Sequence, residues 1–105
     1  MRQLSILLFL AATACGPSSE QIQSQFQERV DQSQACENVS DCSLIYPGCP
    51  LGCYVAVRAD LADELSAYAA QLISDYESGG VSCAYGCMEP GELVCLEEVC
   101  SILSE

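Results

Sequence analysis

The chain has 105 residues, of which three are basic and fifteen acidic, and it contains no histidine and no lysine. Without histidine it has no Ser-His-Asp triad and no imidazole metal ligand, so we expect no catalytic activity and no cofactor. A formal net charge of −12 disfavours nucleic acid as a partner. This length has room for one small domain.

The first fourteen residues have the layout of a secretory signal peptide. They begin with one positive charge at Arg2, continue as an apolar run over 4–12 and end in small residues. The apolar run is too short to span a bilayer. Cys15 follows directly, and this junction resembles the lipobox of bacterial lipoproteins. The resemblance implies that residues 1–14 are removed and that the acylated Cys15 inserts into a lipid bilayer. Gly16 stands where the inner-membrane retention signal has Asp, which favours an outer-membrane lipoprotein, either periplasmic or surface-exposed.

Residues 15–35 are predicted to be the lipid anchor and a glutamine-rich tether. The stretch 16–35 holds six glutamines and begins Gly-Pro-Ser-Ser. Part of it is predicted to be helical, because Ser18 fits a capping box with Gln21. Three apolar residues recur at every fourth position of this segment: Ile22, Phe26 and Val30. Since this stripe is thin, we expect a helix that packs loosely on the domain or frays, with a partner-binding helix as the alternative.

A cysteine-rich domain is predicted over 36–105, and its first half contains two short strand-like runs. These runs are Leu44–Tyr46 and Tyr54–Val57, and the Pro/Gly-rich stretch 47–53 between them predicts a turn or loop.

The strongest helix signal in the chain follows the second run. Asp60 is predicted as the N-cap, and Gly79-Gly80 is predicted to end the helix. One face of this helix is apolar and carries Leu61, Leu65, Tyr68, Leu72 and Tyr76. We expect that face to form the core of the domain.

The segment 93–103 is predicted to be a β-hairpin. With Glu97-Glu98 as a two-residue turn, Cys95 and Cys100 face each other across the two strands. A wider turn is the alternative, because two glutamates are poor turn residues. Together the elements indicate an α+β fold: a small disulfide-rich domain with one main helix packed on a short antiparallel sheet.

Besides Cys15, the cysteines form an even set of eight: Cys36, Cys42, Cys49, Cys53, Cys83, Cys87, Cys95 and Cys100. In an exported chain this set predicts four disulfides, each worth about 2–4 kcal/mol. No gap between successive cysteines is two residues, which disfavours zinc knuckles and a redox Cys-x-x-Cys pair, so no metal is expected.

The sequence leaves the pairing of these cysteines open. On geometric grounds we expect the two Cys-x3-Cys units, Cys49/Cys53 and Cys83/Cys87, to close against each other. That arrangement would leave Cys36 and Cys42 to join the hairpin cysteines, Cys95 and Cys100.

Three stretches of the domain resemble small cysteine-rich lipoproteins of Gram-negative bacteria whose activity is not known. These stretches are Cys36–Cys42, Gly48–Val57 and the closing hairpin Val94–Cys100. The resemblance implies a disulfide-stabilised domain in an exported lipoprotein, and it lends no catalytic residue.

These observations favour a membrane-anchored binding or structural module of the cell envelope whose partner is an envelope protein. Its predicted contact loop contains Tyr46, Leu51 and Tyr54, although Leu51 and the tyrosines could instead simply cover the helix. The alternative function is a protease inhibitor that presents the Cys49–Cys53 loop in an extended conformation. Divalent cation binding is disfavoured, because the acidic residues are dispersed.

Overall fold

The computed structural model describes residues 16–78, 80, 83–84 and 86–103, and within them it has two α-helices and four β-strands. The helices are α1 (Ser19–Asp31) and α2 (Ala62–Glu77). The strands are β1 (Cys42–Ile45), β2 (Val55–Arg58), β3 (Glu92–Leu96) and β4 (Val99–Leu103). The predicted signal peptide and Cys15 lie outside the described residues. No helix in the described part of the chain combines the length and apolar character needed to cross a membrane.

The strands form two antiparallel two-stranded sheets, β1–β2 and β3–β4. In the second sheet Cys95 lies opposite Cys100, as the sequence predicts. Its turn has two residues, because Glu97 and Glu98 both adopt positive φ angles, 53° and 67°, as a type I′ turn requires. The predicted α+β, disulfide-rich class is confirmed, although the predicted single sheet is two separate ribbons.

The β1–β2 sheet is the middle layer of the molecule. Ile45 and Val57 on one face belong to the larger core cluster, which they share with both helices. On the other face, Cys42 and Ala56 belong to a second cluster together with Cys100 of β4. This alternation follows from the two-residue repeat of a β-strand, which directs successive side chains to opposite faces.

Helix α1 is part of the core, which corrects the expectation of a loosely packed tether. Its capping box forms as predicted, with Ser18 accepting the backbone N–H of Gln21. Its apolar stripe is nearly inaccessible to solvent: Ile22, Phe26 and Val30 are 0 %, 2 % and 2 % exposed. The stripe is thin, but it packs in one cluster with Leu65 and Leu72 of α2. The folded unit therefore includes α1 and does not begin at Cys36.

Helix α2 matches the predicted helix except at its N-terminus. Leu65, Ala69 and Leu72 are buried, but Asp60 is not the N-cap. A 3₁₀ turn, Ala59–Leu61, precedes the helix, and Leu61 occupies the N-cap position without a side-chain hydrogen bond. The Asp60 carboxylate instead accepts two hydrogen bonds from the Arg58 guanidinium. A charged bidentate partner is a stronger donor than the backbone N–H groups that an N-cap would bind.

The segment 33–36 joins the two sheets along one edge. The N–H of Arg58 in β2 donates to the carbonyl of Ser33 (2.8 Å), and the N–H of Cys100 in β4 donates to the carbonyl of Gln34 (2.7 Å). The Gln34 side chain also donates to the carbonyl of Ala56 (2.8 Å). This segment therefore fixes the position of the β3–β4 hairpin relative to β2.

Four disulfides cross-link these elements, as predicted. They are Cys36–Cys95, Cys42–Cys100, Cys49–Cys83 and Cys53–Cys87. The two Cys-x3-Cys units pair with each other, and the first two cysteines of the domain pair with the hairpin, so the geometric expectation is confirmed. Each bridge closes a long loop of the chain, with sequence separations from 34 to 59 residues, and such bridges restrict the unfolded chain strongly.

Candidate functional site

The predicted contact loop, 46–54, is a closed turn. The N–H of Gly48 donates to the carbonyl of Gly52 (2.9 Å), and the N–H of Leu51 donates back to the carbonyl of Gly48 (2.7 Å). Gly48 and Gly52 have φ angles of 94° and 142°, a range that favours glycine. The turn is not extended, so it lacks the conformation on which the protease-inhibitor hypothesis depends.

The three residues predicted for contact have different environments. Tyr46 is 58 % exposed, and its ring centroid lies 5.8 Å from that of the half-buried Tyr54. Leu51 is half-buried and packs against the larger core cluster. Leu51 therefore covers the core, which was the alternative interpretation, and Tyr46 is the exposed member of the trio.

A second surface, which the sequence did not indicate, is an open cleft of about 670 Å³. It lies between two 3₁₀ turns, Val39–Asp41 and Ala59–Leu61, and the tip of the β3–β4 hairpin. It is assembled from three parts of the chain: the stretch around Cys36, the end of β2 and the β3–β4 turn. The cleft residues are Ala35, Cys36, Glu37, Ser40, Asp41, Arg58, Ala59, Asp60 and Glu98. Its volume is in the range of small-molecule and side-chain binding sites.

Arg58 is the one basic residue of the cleft, and it is held by Asp60. The Arg58 guanidinium donates two hydrogen bonds to this carboxylate, at 3.0 Å and 2.6 Å. These bonds lower the pKa of Asp60 and raise the pKa of Arg58. Because the pair is exposed to water, it orders the cleft wall more than it stabilises the fold.

Asp41 is held by the backbone. Its carboxylate accepts the N–H groups of Glu37 (2.9 Å) and Asn38 (3.2 Å). The bond from Glu37, followed by that from Asn38, lowers the pKa of Asp41, because both donors favour the charged form. The side chain of Asp41, the last residue of the 3₁₀ turn Val39–Asp41, therefore binds the backbone at the start of that turn.

Glu37 and Glu98 are the remaining acidic residues of the cleft. Both are exposed, and no side-chain hydrogen bond or ion pair engages either carboxylate within the described part of the chain. The Glu98 carbonyl accepts the N–H of Cys36 (3.1 Å), which fixes the turn that carries this side chain. The cleft thus combines one satisfied ion pair with two carboxylates that have no partner among the described residues, an arrangement suited to a cationic group.

Sequence reasoning missed the cleft because its residues come from segments far apart in the chain. The signal available was Arg58, one of two arginines outside the signal-like segment, placed two residues before Asp60. Comparison with known proteins adds no further site residues: no family model, no curated protein and no solved structure matches the chain.

Proposed function

We propose that the protein is an exported, lipid-anchored binding module of the cell envelope without catalytic activity, and that the cleft is its binding surface. The proposed anchor is Cys15, supported by the signal-like segment before it and by the lipobox resemblance. An outer-membrane position, periplasmic or surface-exposed, is part of the same proposal.

One observation carries the assignment of the binding surface: on a cross-linked scaffold, the cleft has two exposed carboxylates without a side-chain partner in the part of the chain that the structure describes. Cys36 in its wall is bonded to Cys95, and Glu98 lies on a two-residue turn. Because these positions are already restricted, a ligand would order little of the chain on binding. We infer that the ligand presents a cationic side chain or amine to Glu37 and Glu98.

The absence of catalysis is supported by the chemistry of the cleft. The chain has no histidine or lysine, and the one guanidinium in the cleft is engaged by Asp60. The acidic side chains of the cleft are not buried, whereas catalytic carboxylates are commonly buried in sites that bring their pKa close to neutral pH.

Binding of a short arginine-rich peptide, measured by titration calorimetry, tests the cleft. The test variant is Glu37→Gln with Glu98→Gln, and the matched control is Glu28→Gln with Glu77→Gln. The control removes the same charge from exposed positions on α1 and α2. At about 0.2–1 kcal/mol per exposed ion pair, the cleft variant should bind about two-fold to thirty-fold more weakly than the control. Equal affinities for the two variants would show that the peptide responds to net charge and not to the cleft.

A further inference from the structure

The two helices lie antiparallel, which gives the molecule two distinct ends. At one end, Arg29 in the last turn of α1 forms an ion pair with Glu64 in the first turn of α2 (2.9 Å). At the other end, a Cβ on Gly16 would lie 2.6 Å from the carbonyl oxygen of Asp75, in the last turn of α2. The start of the described chain is therefore packed against the C-terminal end of α2. With its 16 residues, α2 separates the two ends by about 24 Å.

The cleft belongs to the end of the molecule opposite Gly16. Ala35 follows α1 and Asp60 precedes α2, and both line the cleft. The β1–β2 ribbon ends there too, because Arg58 is the last residue of β2 and is also a cleft residue. The length of the helices therefore places the cleft about 20 Å from the start of the described chain.

The turn 46–54 lies at the same end of the helices as the start of the described chain. It joins β1 to β2 at the end of the ribbon away from the cleft. In the second turn of α1, the Gln23 side chain donates to the carbonyl of Pro50 (2.8 Å). A Cβ on Gly48 would lie 3.5 Å from Cδ1 of Ile73, near the C-terminus of α2. Both helices thus hold the turn at the end where the described chain begins.

This end of the molecule carries two large, exposed side chains. Tyr46 is 58 % exposed and Met88 is 82 % exposed. Met88 follows Cys87, whose disulfide to Cys53 attaches it to the turn. A tyrosine with an apolar ring and a polar tip suits the boundary between water and lipid, and methionine is a flexible apolar side chain. The two residues therefore offer a surface suited to a lipid interface.

We propose that this end of the molecule lies against the lipid bilayer, with Tyr46 and Met88 at the interface and the cleft facing away from it. The inference rests on the proposed acylation of Cys15. One peptide bond joins Cys15 to Gly16, so about 4 Å of backbone separates the anchor from the packed end of the domain. A flexible tether would leave the domain free to turn, whereas this short connection holds it at the surface.

The acyl chains provide most of the attachment. A net charge of −12 gives the protein no attraction to anionic head groups, and more than one acyl chain is sufficient for stable anchoring. The side chains at the interface then determine which face of the domain meets the lipid. In this orientation the cleft receives its ligand from the aqueous side and not from the bilayer.

Tryptophan fluorescence tests the orientation, because the chain has no tryptophan of its own. Three full-length variants are expressed in a Gram-negative host: Tyr46→Trp, Met88→Trp and Val39→Trp. Val39 is the matched control, since it is 49 % exposed and lies in a 3₁₀ turn that contributes to the cleft. Acylation of each purified protein is first measured by mass. Each is then bound to vesicles of phosphatidylcholine, either unbrominated or with brominated acyl chains, which quench tryptophan on contact.

Tyr46→Trp and Met88→Trp should each lose about twice the fraction of emission that Val39→Trp loses. The reason is that an interfacial side chain is buried about 5–10 Å into the boundary of head groups and acyl chains, whereas the cleft is about 20 Å away. A flexible linker of about sixteen Gly/Ser residues between Gly16 and Pro17 spans about 20–24 Å, so it should remove most of this difference.

Equal quenching of the three acylated, vesicle-bound variants would overturn the orientation and leave the anchor in place. Quenching of Tyr46→Trp and Met88→Trp that is unchanged by the linker would also overturn the proposal, because the short connection would then not be what holds the domain at the surface. A chain that is not acylated would overturn the anchor, and the orientation with it.

Discussion

Truncation of Phe26 to alanine tests the position of α1 in the core. The ring is nearly inaccessible and shares one cluster with Leu65 and Leu72 of α2. Removing a buried phenylalanine ring costs about 3–5 kcal/mol, and a small domain has about 5–15 kcal/mol of unfolding free energy in total. We therefore expect Phe26→Ala to remove a large share of the stability.

Urea unfolding followed by circular dichroism, with the disulfides intact, measures this loss. For a small cross-linked domain the denaturant slope is about 1 kcal/mol per M, so the midpoint should fall by about 3–5 M. Phe26→Leu keeps most of the side-chain volume and should cost less than about 1.5 kcal/mol, which provides a folded comparison if the alanine variant does not fold.

The matched control is Gln25→Ala, which lies on the exposed face of the same helix. It should change the unfolding free energy by less than about 0.5 kcal/mol. A urea midpoint for Phe26→Ala equal to that of the control would refute the assignment of α1 to the core. It would support the alternative interpretation, in which α1 is a tether that frays in solution.

Three further predictions concern the hairpin and the cleft. The double substitution Glu97→Asn and Glu98→Gly should raise the unfolding free energy by about 1–2 kcal/mol, because both positions have positive φ, which asparagine and glycine adopt more readily than glutamate. The melting temperature should rise by about 4–8 °C per kcal/mol. An unchanged melting temperature in calorimetry would argue against this turn. A Cβ on Gly91 would overlap the carbonyl of Leu103, whereas one on Gly86 meets nothing within 4 Å. Gly91→Ala should therefore cost more than about 2 kcal/mol and Gly86→Ala less than about 0.5 kcal/mol, and equal amide exchange in β4 of the two variants would contradict the close approach. Backbone donors lower the pKa of Asp41 in the folded state. The charged Asp41 carboxylate therefore stabilises the fold fully above its pKa in the unfolded chain, about 3.9. This contribution to the unfolding free energy is lost as the pH falls through the pKa of Asp41 in the folded state. Urea midpoints of Asp41→Asn should accordingly vary less with pH below about pH 4 than those of the unsubstituted chain, and parallel profiles would exclude this role.

Local features of the fold could be predicted from the sequence because they depend on neighbouring residues. The β3–β4 register follows from two glutamates between alternating strands, and the structure has that register. The capping box at Ser18 is equally local. The grouping of the eight cysteines agrees with the geometric expectation for the two Cys-x3-Cys units on either side of a helix, whereas the individual pairs could not be chosen from the sequence.

Contacts between distant segments could not be predicted in the same way. A stripe of three apolar residues shows that a helix has an apolar face, but not what that face packs against, and α1 proved to pack on α2. Asp60 fits an N-cap by position, yet Arg58 offers its carboxylate a stronger bidentate partner. The cleft is lined by Glu98 together with Asp41 and Arg58, residues of distant segments that only the folded chain brings to one surface.

The intact mass of the mature chain, extracted from membranes of a Gram-negative host, tests the proposed anchored module most directly. The proposal predicts an N-terminus at Cys15 that carries diacylglycerol and acyl groups, with a mass deficit of eight hydrogens for the four disulfides. An unacylated chain cleaved at another position, or eight free thiols in the extracted protein, would contradict it.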